Sequence, residues 1–294
     1  MTTAPGGSTW KARLDLHYRA VAATAERSAD PTRTLADFRH DGPVRILHSL
    51  YPEGPGVCHN VLIHPPGGLV GGDHIHIQVS VDAGAHGLLT TPGATRYYRS
   101  DGAEAVQSVS ARLAPGARLE WLPLETLAYD GCQGLNQTVF DLAPGAELMV
   151  WDLLALGLPA SGQPFARGRM TQHLEVRGHW LDRGTVRADD TRLMDGPLGL
   201  AGRRCLATLA FACGTPWARA RREQALEVAR AVIDAQPAGT GCLAGATAPN
   251  DHVVLVRALG PMVEPNFVLL RQVRAAWRQA LWGLDEHRPR LWSL

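Results

Sequence analysis

The sequence predicts a β-rich α+β fold: a layered, solenoid-like body of antiparallel and mixed strands, with about two helices in the C-terminal third. Three observations predict it. Several short segments alternate apolar and polar residues, the period of a strand with one buried face. An x-Gly-Ala turn recurs at Gly84, Gly116 and Gly145, about 30 residues apart. Helical periodicity is confined to the chain after about residue 215, without the regular strand–helix alternation of a doubly wound sheet.

Taken in order, "WKARLDLHYRA" places Trp10, Ala12, Leu14, Leu16 and Tyr18 on one strand face and charged residues on the other. "VRILHSLYP" and "VCHNVLIHP" read as further strands stopped by proline. "HIHIQVSVDAG" alternates again through Ile75, Ile77, Val79 and Val81. The segments "VDAGAHGLLTT", "LAPGARLEWLP" and "LAPGAELMVWD" form the quasi-repeat. A period near 30 residues fits two or three strands per unit, hence stacked layers. "TQHLEVRGHWLDRGTVRA" continues the pattern with glycine-centred turns. "TPWARARREQALEVARAVIDAQP" then predicts a helix, with Thr215 as N-cap, Pro216 at its first position and Leu226, Ala229 and Ile233 on one stripe. Strands in "TGCLAGATAP" and "HVVLVRALG" follow. A second helix begins near Pro265, with Leu270, Val273, Trp277 and Leu281 on its apolar face. Arg271, Arg274 and Arg278 form a basic stripe, expected as a solvated face in preference to a binding surface. Trp277 and Trp282 fit either a docking interface or packing on the sheet. No linker divides the chain, so one domain over residues 1–294 is expected, with 1–9 as a flexible leader.

Composition excludes several function classes. The 29 Lys+Arg nearly balance 28 Asp+Glu, which gives no global attraction to nucleic acid or to an anionic membrane. Cys58, Cys132, Cys205, Cys213 and Cys242 are scattered and odd in number, which fits a reducing compartment better than a disulfide framework or a zinc cage. The N-terminus lacks the basic and apolar stretches of a secretion signal, and no apolar run approaches the roughly 20 residues that span a bilayer. A soluble cytoplasmic protein is expected.

"HPPGGLVGGD" (64–73) invites a phosphate-loop reading, and its chemistry rejects it. Gly67 and Gly72 have the spacing, but Asp73 and His74 stand where a lysine and a hydroxyl are required. A strand follows where a helix should start. The stretch is a tight turn on Gly67, Gly68, Gly71 and Gly72, and Asp73 either locks that turn or faces a cation path. "TTPGATRYYRS" (90–100) offers hydroxyls, arginines and tyrosines for an anion or for structural ion pairs. His59, His64, His74, His76 and His86 cluster in sequence. His74 and His76 leave one strand face, but no third ligand is settled, so no stable metal site is expected and His64, His74 and His76 are candidates for transient contact. The acids Glu120, Glu125, Asp130, Asp152 and Glu175 are dispersed, and none forms an evident general acid/base pair. The residues alone leave open a β-rich enzyme acting on a small acidic ligand through Arg96, Arg99 and Asp73.

Five segments taken together resemble the urease accessory protein UreD (UreH) family. They are "PPGGLVGGD" (65–73), "LLTTPGATRYYRS" (88–100), "LEWLPLETLAYDG" (119–131), "WDLLALGLPASGQPFARGRMTQHLEV" (151–176) and "RPRLWSL" (288–294). The resemblance implies a non-enzymatic scaffold that works with UreF and UreG on urease apoprotein. It also implies nickel delivery, with nickel in transit through an internal passage and no cofactor of the chain's own. It carries over to the glycine turn with Asp73, to Thr90, Thr91, Ala94, Thr95, Tyr98 and Arg99, to Glu125, and to Gly168 and Arg169. His64, Arg96 and Gln163 depart from the common pattern, and Gln163 removes an acid from a possible passage. The candidates for partner contact or for lining the passage are Asp73, Thr95, Arg96, Tyr98, Arg99, Glu125, Asp152 and Glu175.

Overall fold

A computed structural model describes residues 9–22 and 32–293. The leader expected over 1–9 lies outside them, Thr9 apart. The first strands are β1 (Lys11–Ala22), β2 (Thr32–Asp41), β3 (Arg45–Ile46), β4 (Val57–Ile63), β5 (His74–Val81) and β6 (His86–Thr90). Next come β7 (Thr95–Tyr97), β8 (Ala105–Leu113), β9 (Arg118–Leu122), β10 (Thr126–Ala128), β11 (Gln133–Leu142) and β12 (Glu147–Leu156). After β13 (Arg169–Val176), β14 (Trp180–Arg187) and a short helix α1 (Thr191–Asp195), the chain forms β15 (Cys205–Cys213) and α2 (Arg219–Asp234). It ends with β16 (Leu243–Thr247), β17 (Val253–Gly260) and α3 (Val263–Trp277), which runs on into a π-turn over Arg278–Trp282.

The strands make two facing sheets. Sheet I has the order β14-β13-β11-β8-β5-β1-β2. Sheet II has the order β16-β17-β15-β12-β9-β6-β4-β3, with β10 against β12 and β7 against β10. From β4 to β13 the chain passes back and forth between them, and neighbouring strands of successive coils are parallel. Antiparallel strands close the ends at β2, β14, β15 and β17. The body is therefore a mixed-sheet solenoid.

The x-Gly-Ala repeat is the corner of each coil. Gly84, Gly116 and Gly145 have φ of +74°, +70° and +77°, a region costly for side-chain-bearing residues. The alanines after them, Ala85, Ala117 and Ala146, are fully buried at the inside of the bend. Successive corners are stitched by Arg118 N–H to Ala85 O and Glu147 N–H to Ala117 O, both 2.9 Å. The expected alternation holds in β1 and β5: Leu14, Leu16, Tyr18, Ile75, Ile77, Val79 and Val81 face the inter-sheet core. Trp10 shares their parity but is 51% exposed, because it lies before the first strand pair.

Two expectations near the C-terminus are corrected, and one open alternative is decided. The first late helix starts at Arg219, with Ala218 at its N-cap. Thr215 Oγ1 instead accepts from Gly145 N–H at 2.8 Å, and Trp217 N–H donates to Asp251 O at 2.7 Å, so tertiary bonds hold this stretch extended. The basic stripe is not solvated: Arg274 and Arg278 are buried, and only Arg271 keeps part of its surface. Trp277 and Trp282 pack with Phe211 on the outer face of sheet II, so neither is free to anchor a docking interface. In "VRILHSLYP" only Arg45–Ile46 is a strand, with a single further bridge from Leu50 to His59. No described helix is long and apolar enough to cross a membrane.

Candidate functional site

A polar seam crosses the otherwise apolar inter-sheet core. On adjacent parallel strands β8, β11 and β13, Gln107, Asn136 and Gln172 stand in register. Each occupies an inward position whose strand neighbours are residues such as Val109, Phe140, Met170 and Leu174. Asp152 of β12 faces them from sheet II. Gln107 Nε2 donates to Asn136 Oδ1 (3.2 Å), Asn136 Nδ2 to Asp152 Oδ1 (3.4 Å) and Gln172 Nε2 to Asp152 Oδ2 (2.6 Å). Gln172 Oε1 is buried without a hydrogen-bond partner among the described residues.

Thr95, Thr126 and Thr138, together with apolar residues such as Trp121, Val150 and Leu174, wall a cavity of about 20 Å³ at the seam, space for a single water-sized occupant. Burial pushes the Asp152 carboxyl up to about 7, and its bond from Gln172 only partly opposes this. A second cavity of about 210 Å³ shares Thr95 and Gln107 with the first and extends toward His64, Gly67 and Arg96. On β14, next to the seam strand β13, Asp182 pairs with Arg257 of β17 at 2.7 Å.

The glycine turn forms one unit with the segment 95–100. Gly67 and Gly72 have φ of +79° and +92°. Gly68 and Gly71 are required for a different reason: a Cβ on Gly68 would lie 2.5 Å from Tyr98 Cε2, and one on Gly71 2.1 Å from Ser100 Oγ. Leu69 N–H donates to Arg96 O (2.7 Å) and Tyr98 N–H to Leu69 O (2.9 Å). Asp73 sits beneath this turn, 4% exposed. Its Oδ1 accepts from Trp10 N–H at 2.8 Å and its Oδ2 from Val70 N–H at 2.9 Å. Both carboxylate oxygens are therefore engaged by backbone. Asp73→Ala strands two donors and is expected to cost about 2–3 kcal/mol, read as a lower urea midpoint at unchanged slope. A loss under about 0.5 kcal/mol would show that the bracing is dispensable.

The remaining candidates do not converge on one place. Thr95 and Asp152 lie in the seam, and Arg96 donates to Gly67 O (3.2 Å) at the mouth of the larger cavity. Tyr98 packs on Tyr129, and Arg99 points to solvent toward Asp101. Glu175 has the strand parity of the outer face of sheet I, where it meets His173 at 2.8 Å. Glu125 lines a groove of about 530 Å³ on the opposite side of the Thr91–Ala94 loop from the larger cavity. His74 is exposed and His76 bonds Ser108 (2.9 Å). Among the described residues no three His, Cys, Asp or Glu side chains are placed to share a metal ion. Arg96, Arg99 and Asp73, proposed together for a small acidic ligand, do not share one cavity: Arg96 lines the larger one, Asp73 lies beneath the turn and Arg99 faces solvent.

Sequence reading missed the seam amides and a buried ionic cluster. The amides carry a signal: each interrupts an inward apolar row, and the 30-residue coil brings them into register. In the cluster, Glu120 is fully buried, and Arg274 Nε donates to its Oε2 at 2.6 Å. Arg274 Nη2 lies 2.6 Å from the same oxygen, off the hydrogen-bonding line. Arg278 bridges Glu120 and Glu53. His86 meets Glu120 at 3.1 Å and His59 meets Glu53 at 2.6 Å. Burial opposes ionisation of Glu120, but Arg274, His86 and Arg278 outweigh it and hold the carboxyl well below the usual range. These two arginines, with Arg271, also hold the C-terminal segment against α3. Arg271 donates to Trp292 O (3.3 Å), Arg274 to His287 O (2.9 Å) and Arg278 to Asp285 O (3.4 Å).

Comparison with known proteins agrees with the resemblance seen in the motifs. The model of the family described as UreD urease accessory protein matches residues 11–293. A urease accessory protein UreD of Paracidovorax citrulli is 59% identical over 286 residues, covering 97% of this chain and all of the relative. Relatives of the same name from Verminephrobacter eiseniae and a Polaromonas species are 55% and 54% identical, each over 97% of this chain and 99–100% of the relative.

Proposed function

The chain belongs to the UreD family of urease accessory proteins, and from that premise we propose that it is a non-enzymatic urease maturation scaffold. It binds urease apoprotein together with the accessory proteins UreF and UreG, and it passes nickel through its interior to the nascent urease centre.

The observation that supports the passage is the polar seam. A solenoid core gains nothing in stability from three amides and a carboxylate at inward positions, because buried polar groups cost free energy unless fully bonded. Nickel accepts oxygen and imidazole ligands, and a route has to hold it weakly enough to release it. One carboxylate flanked by amide oxygens meets that need better than a closed cage of charged ligands. At about 20 Å³ the seam admits one small occupant at a time, so a cation crosses it with amide and hydroxyl oxygens replacing part of its water shell. Thr95, Gln107, Asn136 and Asp152 line the route, Gln172 holds Asp152 from beside it, and His64 and Arg96 lie near its wider mouth. Asp73 serves the route indirectly, by fixing the glycine turn that forms this mouth.

Co-purification tests the scaffold. The tagged chain is expected to retain urease apoprotein, UreF and UreG in one complex, with and without nickel. Failure to retain any of the three would overturn this reading.

A further inference from the structure

The groove that holds Glu125 lies outside the seam, and the passage does not use it. Its floor is apolar: Leu124 and Leu127 beside β10, Leu158 and Pro159 from the turn after β12, and Phe267 and Val268 from α3. At about 530 Å³ it is far larger than the seam, and Val268 on its wall is 36% exposed. Two carboxylates, Glu125 and Glu264, lie close enough to the buried Cys205 to raise its thiol together with burial, which places both acids around one stretch of the floor. Neither forms an ion pair among the described residues. The guanidinium at the other end, Arg271, is already engaged by Trp292 O. An apolar trough with two unneutralised acids at one end complements a segment with an apolar row and a cation beside it. A neutral or acidic occupant would leave those carboxylates desolvated and unpaired.

We propose that the groove between β10, the turn after β12 and the N-terminal half of α3 docks a partner-protein segment carrying an apolar side-chain row and a lysine or arginine that meets Glu125 and Glu264. The proposal rests on the scaffold reading above. The Pro92–Ala94 stretch forms one wall of this groove and one wall of the cavity at the seam's wider mouth. A partner seated here would therefore lie beside the entrance to the route.

The test uses the full chain and purified urease apoprotein, UreF and UreG as separate probes. Two variants are compared with the parent, Val268→Asp and the double charge reversal Glu125→Lys/Glu264→Lys, and circular dichroism and urea unfolding confirm that each is folded. One of the three proteins is expected to bind both variants at least tenfold more weakly, and reversing a basic residue of that protein is expected to restore binding to the double variant. Unchanged binding of all three to both folded variants would overturn the groove and leave the scaffold reading intact. If the parent chain binds none of the three, the scaffold reading itself fails, and the proposal with it. Self-association of the parent that Val268→Asp abolishes would assign the groove to a second copy and also overturn the proposal.

Discussion

Glu120→Ala is expected to destabilise the chain by about 3–5 kcal/mol, the cost of leaving buried charge without its counterion. Glu120 is the only residue that touches Arg274, Arg278 and His86 together among the described side-chain bonds. Removing it strands the Arg274 guanidinium, leaves Arg278 with Glu53 alone and loosens the fastening of the last residues. Urea unfolding measures the loss. If the single variant does not accumulate in folded form, Glu120→Leu/Arg274→Met removes one charge of each sign and leaves Arg278 with Glu53. Most of the stability should then return. A single variant within about 1 kcal/mol of the parent would show that the cluster is solvated in solution. The pH dependence has a definite sign. The folded state holds the Glu120 carboxyl below its ordinary range, so its contribution is complete above that range and is lost as pH falls through the depressed value. Burial lowers His86 below 6.5, so a further loss begins as pH falls through about 6.5. In a background of Asp152→Asn, which removes the carboxyl whose stability contribution grows as pH falls below 7, the urea midpoint should decline on the acid side.

Asp152→Asn should move stability and function in opposite directions. Burial raises this carboxyl to about 7, so the folded state keeps the proton longer than the unfolded chain. Stability from this site is lost as pH rises from the ordinary carboxylate range through about 7, and the loss is complete above that. Asparagine removes the charge and can still accept Gln172 Nε2, so at pH 8 the variant is expected to be more stable by ~2 kcal/mol. On the passage reading the same change deletes the single anionic station of the route. Urease activation should fall at least tenfold while the accessory complex still assembles. A stabilised variant with full activation would remove Asp152 from the route. A variant that no longer assembles would make the residue structural.

The strongly alternating strands β1 and β5 and the corner repeat were legible because both signals are local, whereas β2, β8 and β11 were not read as strands. Alternation marks a strand's faces within eight residues, and each corner needs only its own glycine and small following residue. The α3 arginines were not legible. Spacing of i, i+3 and i+7 is the same for a solvated stripe and for a buried one, and the carboxylate that decides between them is 154 residues from Arg274. Thr215 and Pro216 form a good helix start, yet bonds to Gly145 and Asp251 override it. Within the candidate site, Asp152 was one of several dispersed acids and a candidate for the passage, and Gln107, Asn136 and Gln172 look ordinary singly. Only the stacking of coils brings them together. Asp73 shows the reverse case. Its position after a glycine turn suggested either a brace or a cation ligand, and each of its oxygens accepts one backbone donor, the pattern of a brace.

The most direct test of the account is nickel content. Purified urease apoprotein is incubated with UreF, UreG, GTP and nickel, with and without this chain, and metal bound to re-isolated urease is measured by mass spectrometry alongside urea hydrolysis. The account predicts that nickel loading and activity both depend on the chain, and that Asp152→Asn supports assembly but little loading. Equal loading and activity without the chain would contradict it.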